Sequence, residues 1–297
     1  MIFASRFNNT SLLSMLYWSI SWEVWGMMRF DNRYEIIDCI CCWYDLLGFG
    51  APFINSEWNL RDPICESNYT RLKTVGNTFN LNLNVFGTTI YINDGIATTI
   101  DIGDNNVETI NKAMYYLESV FLHFRWINAV EQDNGYPGAR GVITCGHRMH
   151  YETTDIDVYG INGDIIAYHP IEFQMNTAFS KASIMEESGK ASGLKGPNMF
   201  IDSLLFELLD ERLKGIEGYS VEVIKDYSDR LKVIINANFE WFLRLYLDPE
   251  PIIYKNKGIN TKIYRLLKYE SYLDWYARNH PSPLGRLGNY DDDDDNE

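Results

Sequence analysis

Two aspartates carry the chemistry expected of this 297-residue chain. Asp45 closes an apolar run, IIDCICCWYDLLGFG over residues 36–50, and Asp94 lies in Asn93-Asp94-Gly95 between two β-branched runs. Two carboxylates brought together repel, and each then resists ionising. A divalent cation removes that conflict. Mg²⁺ and Mn²⁺ take hard oxygen ligands, often one or two carboxylates plus the phosphates of a substrate. Two such ions about 3.5–4 Å apart activate an attacking oxygen and stabilise a leaving one. The expected chemistry is displacement at phosphorus, on the condition that the fold brings positions 45 and 94 to one place. Taken alone, Asp45 also reads as a strand leaving the core on a polar residue.

The elements that must position the pair follow from hydrophobic spacing. Residues 36–43 are filled by Ile36, Ile37, Cys39, Ile40, Cys41, Cys42 and Trp43, a run that suits a central strand covered on both faces. The Leu46-Leu47-Gly48-Phe49-Gly50 turn follows. Its glycines permit a sharp bend and close approach to a ligand, and successive backbone N–H groups in such a turn cradle phosphates. Asn and Asp followed by Gly is a strong hairpin signal, because these residues tolerate φ > 0. Asp94 is therefore expected at a hairpin tip within residues 81–102.

Residues 51–80 read as irregular with a short helix. Ile110, Met114, Leu117, Phe121, Phe124 and Ile127 recur at helical spacing over 106–130, with Asn105 or Asn106 as N-cap. Further strands are expected over 139–146, 198–201 and in two pieces within 219–235. Helices are expected over 174–188, stopped by Gly189, and over 201–213. Asn162-Gly163-Asp164 reads as a turn. Beyond residue 236, aromatic and basic residues mix in a way that reads as helical, and Asp291 to Asp295 form a solvated tail. The expected division is an N-terminal segment 1–35 packed on the domain or at a dimer contact, a catalytic domain 36–235, a helical extension 236–290 and an acidic tail 291–297. This order suits an α/β chain of the α+β sandwich kind, with helices on a sheet that contains antiparallel strands.

Composition bounds the partners. The net charge of −15 argues against non-specific nucleic-acid binding, which depends on clustered Lys and Arg. It leaves a nucleotide ligand open. Five cysteines, three of them in the buried run, are expected to be reduced and to pack as small hydrophobes, in a cytoplasmic protein. Residues 11–30 are apolar and aromatic, but carry Glu23 near the middle and have no basic n-region of the usual kind and no small-residue cleavage site. No membrane span is expected there. His147 and His150 read as surface or packing residues rather than as a metal site.

The run Tyr44-Asp45-Leu46-Leu47-Gly48-Phe49-Gly50, followed by Asn93-Asp94-Gly95, the Arg140–Gly146 strand and the helical stretch 176–189, resembles the class III nucleotidyl cyclases. It is closest to the pyrimidine cyclases of the Pycsar anti-phage system. The resemblance implies a ferredoxin-like sheet, mixed or antiparallel, with two Mn²⁺ or Mg²⁺ per active site bound by Asp45, Asp94 and the carbonyl of Leu46. It implies triphosphate held by Leu47, Gly48, Phe49 and Gly50, with Arg140 and Lys195 as candidate cations for the leaving pyrophosphate. Tyr34 and Phe49 are candidates to stack on a pyrimidine. A homodimer sharing its active sites is implied, with stretch 176–189 crossing the interface.

The implied activity is conversion of UTP to 3′,5′-cyclic UMP, a messenger acting on a separate effector protein. CTP as substrate, a purine cyclase and a silent nucleotide-binding domain are the alternatives. This chain departs from purine cyclases at two places. Ser180 and Ile184 stand where an Asn and an Arg support the transition state, and Ile90 stands where a polar residue reads the purine.

Overall fold

The run that ends on Asp45 forms strand β1 (Tyr34–Leu46), and its alternating side chains supply two cores. Ile40, Cys42, Tyr44 and Leu46 enter the main one, while Cys39 and Cys41 enter a smaller one on the opposite face. A strand covered on both faces needs the unbroken apolar character seen in the sequence. The computed structural model describes residues 34–80, 87–103, 106–151, 158–159, 165–167, 170–225, 230–238 and 240–279. The expectations for 1–33, for the Asn162-Gly163-Asp164 turn and for the acidic tail lie outside the described residues.

Ten strands form one sheet. Its order is β2 (Thr88–Ile92), β3 (Gly95–Ile102), β1, β4 (Ala139–Tyr151), β7 (Met199–Asp202), β12 (Ile259–Ser271), β10 (Glu240–Leu247), β9 (Leu231–Ala237) and β8 (Ser220–Lys225), with β11 (Ile252–Asn256) on β12. Every pairing is antiparallel except β4 with β7. β5 (Val158–Tyr159) and β6 (Ile165–Ala167) form a separate pair.

The helices are α1 (Ala51–Asn55), α2 (Glu66–Asn80), α3 (Val107–Asp133), α4 (Thr177–Ser188), α5 (Leu204–Leu213) and α6 (Tyr272–Asn279). Met114, Leu117 and Phe121 of α3, with Leu205 and Leu209 of α5, close the main core. Helix α4 covers the other face through Ala178, Ala182 and Met185. The result is a mixed α+β architecture, with helices on a mostly antiparallel sheet. No helix among the described residues is long and apolar enough to cross a membrane.

Two expectations are corrected. Residues 66–80 form a full helix, α2. Of its buried positions Asn68, Arg71 and Val75, two are polar, so the apolar period that announces a helix is missing. The stretch after residue 236 is mainly strand, not helix: β10, β11 and β12 precede the short α6. Burial alternates at Leu243, Leu245 and Leu247, and again at Thr261 and Ile263. That is a period of two, hidden in the sequence by basic and aromatic residues whose stems also pack.

Asn93 and Asp94 form the turn between β2 and β3, with Asn93 at φ +56°. Gly95 follows at a close approach, since a Cβ there would lie 2.3 Å from the Trp43 indole. The Gly95→Ala variant is accordingly expected to lose ~1–3 kcal/mol by overpacking, read as a lower midpoint in chemical denaturation.

Candidate active site

Asp45 is the penultimate residue of β1 and lies between two neighbours in the sheet. Its register partners are Gly95 of β3 and Arg140 of β4. Residues directly opposite on an antiparallel pair share a face, so Arg140 emerges on the same side as Asp45. Asp94 precedes Gly95 at the hairpin tip. Its carbonyl accepts from the Leu46 N–H at 3.2 Å, and its Oδ1 accepts from Asn93 Nδ2 at 2.9 Å. The structure thus brings positions 45 and 94 to one end of the sheet.

A third carboxylate, not anticipated from sequence, joins them. Glu186, near the end of α4, is buried. It accepts from Arg140 Nε at 2.9 Å and also pairs with Arg140 Nη2. The rest of the Arg140 fork is used as well: Nη2 donates to the Glu186 carbonyl and Nη1 to the Leu194 carbonyl, each at 3.3 Å. Arg140 is therefore committed to α4 and the loop after it. Glu186 gave no sequence signal, because an acid near a helix end reads as a solvated residue.

The electrostatics follow. The Asp45 carboxyl is pushed up to about 7, first by burial, then by the charges of Glu186 and Asp94, with Arg140 opposing and a hydrogen bond with Glu186 adding to the rise. Burial leads, and the like-charge conflict expected of paired carboxylates adds to it. A divalent cation beside Asp45 and Asp94 would relieve it, and hard carboxylate oxygens suit Mg²⁺ or Mn²⁺. Among the described residues, no three His, Cys, Asp or Glu side chains form a ready-made cage. Two protein carboxylates with phosphate and water completing the shell is how Mg²⁺ is commonly held, so the donor set fits.

The turn after Asp45 is built to expose glycine. Leu46 and Phe49 are buried, whereas Gly48 and Gly50 are exposed, with Gly48 at φ +71°. Leu47 N–H donates to the Gly138 carbonyl at 2.9 Å, and the Leu46 carbonyl accepts from Phe49 N–H at 3.3 Å. The Phe49 ring is 2% exposed and packs in the core. Base stacking by Phe49 is corrected on that ground, leaving only its backbone near a ligand.

Tyr34 is also displaced from the expected site. It pairs with Tyr151 at the opposite end of β1, eleven residues from Asp45, about 36 Å at 3.3 Å per residue. Lys195 is exposed, next to Leu194. His147 lies on the surface and pairs with Asp38 at 3.3 Å, and His150 is exposed. Ile90 is buried with Ala97 and Phe173, and Trp43 and Phe179 pack on that cluster. Ser180 hydroxyl donates to the Asn176 carbonyl at 3.0 Å, and the Ile184 carbonyl accepts from Tyr254.

No protein-family profile and no curated protein matches the chain. Solved structures do. The guanylyl cyclase Cya2 is 14% identical, with 78% of this chain and 92% of that one covered, at a TM-score of 0.40. The guanylyl cyclase domain of the RhoGC fusion protein from the aquatic fungus Blastocladiella emersonii is 10% identical over 80% and 98% of the two chains, at 0.38. A bacterial light-regulated adenylyl cyclase is 8% identical over 90% and 67%, at 0.38.

A carboxyl with a raised pKa binds its proton more tightly in the folded state, so it withdraws stability as pH rises from about 4 to about 7. Asp45→Asn removes that contribution. Relative to the parent protein, the variant is expected to gain stability at pH 8, by at most ~4 kcal/mol before solvent screening reduces it, and nothing at pH 4. Urea denaturation at the two pH values checks the sign.

Proposed function

We propose that this chain is a nucleotide cyclase that converts a nucleoside triphosphate, UTP in preference, to the 3′,5′-cyclic monophosphate and pyrophosphate. The observation that carries the reading is the meeting of Asp45 and Asp94 at one sheet end, at the head of a turn that exposes Gly48 and Gly50. The motif order of the sequence points the same way.

In this reading Asp45, Asp94 and the Leu46 carbonyl hold two divalent ions. When bound, these supply the positive charge that activates the ribose 3′-hydroxyl and offsets the leaving pyrophosphate. The 47–50 turn receives the triphosphate on its outward amides. O3′ gives up its proton to water and bonds to the α-phosphorus in line, and the bond from that phosphorus to the oxygen bridging to the β-phosphorus breaks, so that pyrophosphate leaves with that oxygen. Arg140 and Lys195 are the cations at hand for the pyrophosphate charge. For Arg140 to serve, at least one of its bonds to Glu186 or Leu194 must be exchanged for phosphate.

The pyrimidine preference is supported by Ile90. Its own side chain, buried with Ala97 and Phe173, has no group to hydrogen-bond a purine edge. On resemblance, the reading extends to a homodimer with shared sites and to a cytoplasmic messenger acting on a separate effector in anti-phage defence. Helix α4 buries one face on its own sheet, so an interface there would use its outer face.

Incubation with ATP, GTP, CTP and UTP and Mn²⁺ is expected to yield cyclic UMP as the main product. Asp45→Ala and Asp94→Ala are each expected to reduce the yield at least 100-fold while the protein stays folded by circular dichroism. Full activity in either variant would remove the metal-binding assignment. Light scattering is expected to give twice the monomer mass, and a monomer with full activity would exclude shared sites.

A further inference from the structure

Helix α2 uses its inner face in an unusual way. Between residues 66 and 77 it buries Asn68, Arg71 and Val75, and both polar members bond the turn that follows Asp45. Asn68 Nδ2 donates to the Phe49 carbonyl at 2.9 Å. Arg71 Nη2 donates to the Leu47 carbonyl at 3.0 Å. The Arg71 guanidinium is in turn gripped by Glu131, from the last turn of α3. Nε lies 3.1 and 3.0 Å from the two carboxylate oxygens and Nη2 lies 2.5 Å from Oε2. The two side chains are 3% and 2% exposed. The cation sits over the rings of Tyr136 at 4.8 Å and Phe49 at 5.6 Å.

These contacts fix the turn from behind. Both carbonyls, of Leu47 and Phe49, are drawn inward, and the Leu47 N–H is held by Gly138. Among the described residues, no protein acceptor is found for the N–H of Gly48 or Gly50, and both glycines are exposed. Stability is a weak reason for such an arrangement. A fully buried ion pair is often matched or bettered by well-packed hydrophobic side chains of similar volume. What a hydrophobic pair cannot do is hold the Leu47 carbonyl.

We propose that Arg71, braced by Glu131, is a positioning residue that keeps the 47–50 turn in the conformation that receives the triphosphate. This rests on the cyclase reading above. Arg71 itself faces the rear of the turn and touches no substrate.

The test is the double variant Arg71→Met/Glu131→Leu, which removes both buried charges together and keeps their volume. The expected result is a thermal midpoint equal to or above that of the parent. KM for UTP with Mn²⁺ should rise at least 10-fold and kcat should change less than threefold. Affinity for inorganic tripolyphosphate, measured by calorimetry, should fall by a similar factor as KM rises.

Arg71→Lys provides the second arm, because it keeps the charge pair but not the fork that reaches both partners. A smaller KM rise at unchanged kcat is expected, and it decides the matter if the double variant does not fold. Unchanged KM and tripolyphosphate affinity in a folded variant would overturn the proposal. So would a lower midpoint and a lower kcat in parallel with the rise in KM, the mark of a merely structural pair. A parent protein that cyclises none of the four nucleotides refutes the cyclase reading instead. Tripolyphosphate affinity then still reports on the turn, and absence of such binding in the parent would overturn this proposal too.

Discussion

Side chains on β1 alternate between two packed faces, and that constraint governs everything Asp45 meets. Tyr44 and Leu46 are locked in the main core, Tyr44 by a hydrogen bond from its hydroxyl to the Val120 carbonyl at 3.0 Å. The Leu46 N–H is tied to the hairpin tip. The backbone at residue 45 therefore has little freedom to carry its carboxylate out to water. It must come to terms with Glu186, Asp94 and Arg140 where they stand, and the raised pKa of Asp45 records that tension. A strand with one wet face would have let the same aspartate ionise at its ordinary pKa.

The helices and outer strands can be understood as supports of this one place. Helix α4 carries Glu186 over the sheet end. Its position is fixed by Ala178, Ala182 and Met185 beneath it, and by the Asn176 side chain capping its N-terminus at 2.8 Å. The β11–β12 hairpin braces its far end: Tyr254 hydroxyl donates to the Ile184 carbonyl at 3.3 Å, and Lys257 pairs with Glu187 at 2.8 Å. The C-terminal strands thus reach the candidate site indirectly, through α4. On the opposite side of the sheet, α2 and the end of α3 set the shape of the turn through Asn68, Arg71 and Glu131. Two Arg–Glu pairs serve this place: Arg140 with Glu186, largely buried, beside Asp45, and Arg71 with Glu131, fully buried, behind the turn that follows it. A buried pair of this kind is weak evidence of added stability.

Some of this was legible in the chain before any coordinates. The central strand, the hairpin at Asn93-Asp94-Gly95, the capped helix α3 and the short β7 each follow from local rules, because hydrophobic period and turn chemistry act over a few neighbouring residues. The two aspartates were legible for the same reason, since each sits where a local signal ends. Residues whose role depends on distant partners were not. Arg71 and Asn68 hide α2 by replacing its apolar stripe with polar groups, and their partners are peptides about twenty positions earlier. Strands β10 and β12 hide behind a mixture of basic and aromatic side chains.

By itself, then, the sequence determined the two-sided strand, the turn residues after it and the hairpin that carries the second acid. All three are fixed by side-chain type at short range. Tertiary structure alone decided which groups surround Asp45. It brought Glu186 to Arg140, sent Tyr34 to the far end of the strand and turned the Phe49 ring into the core. Such choices depend on sheet register and on which helix packs on which face. Those arise from long-range packing, for which no local spacing in the chain carries a signal.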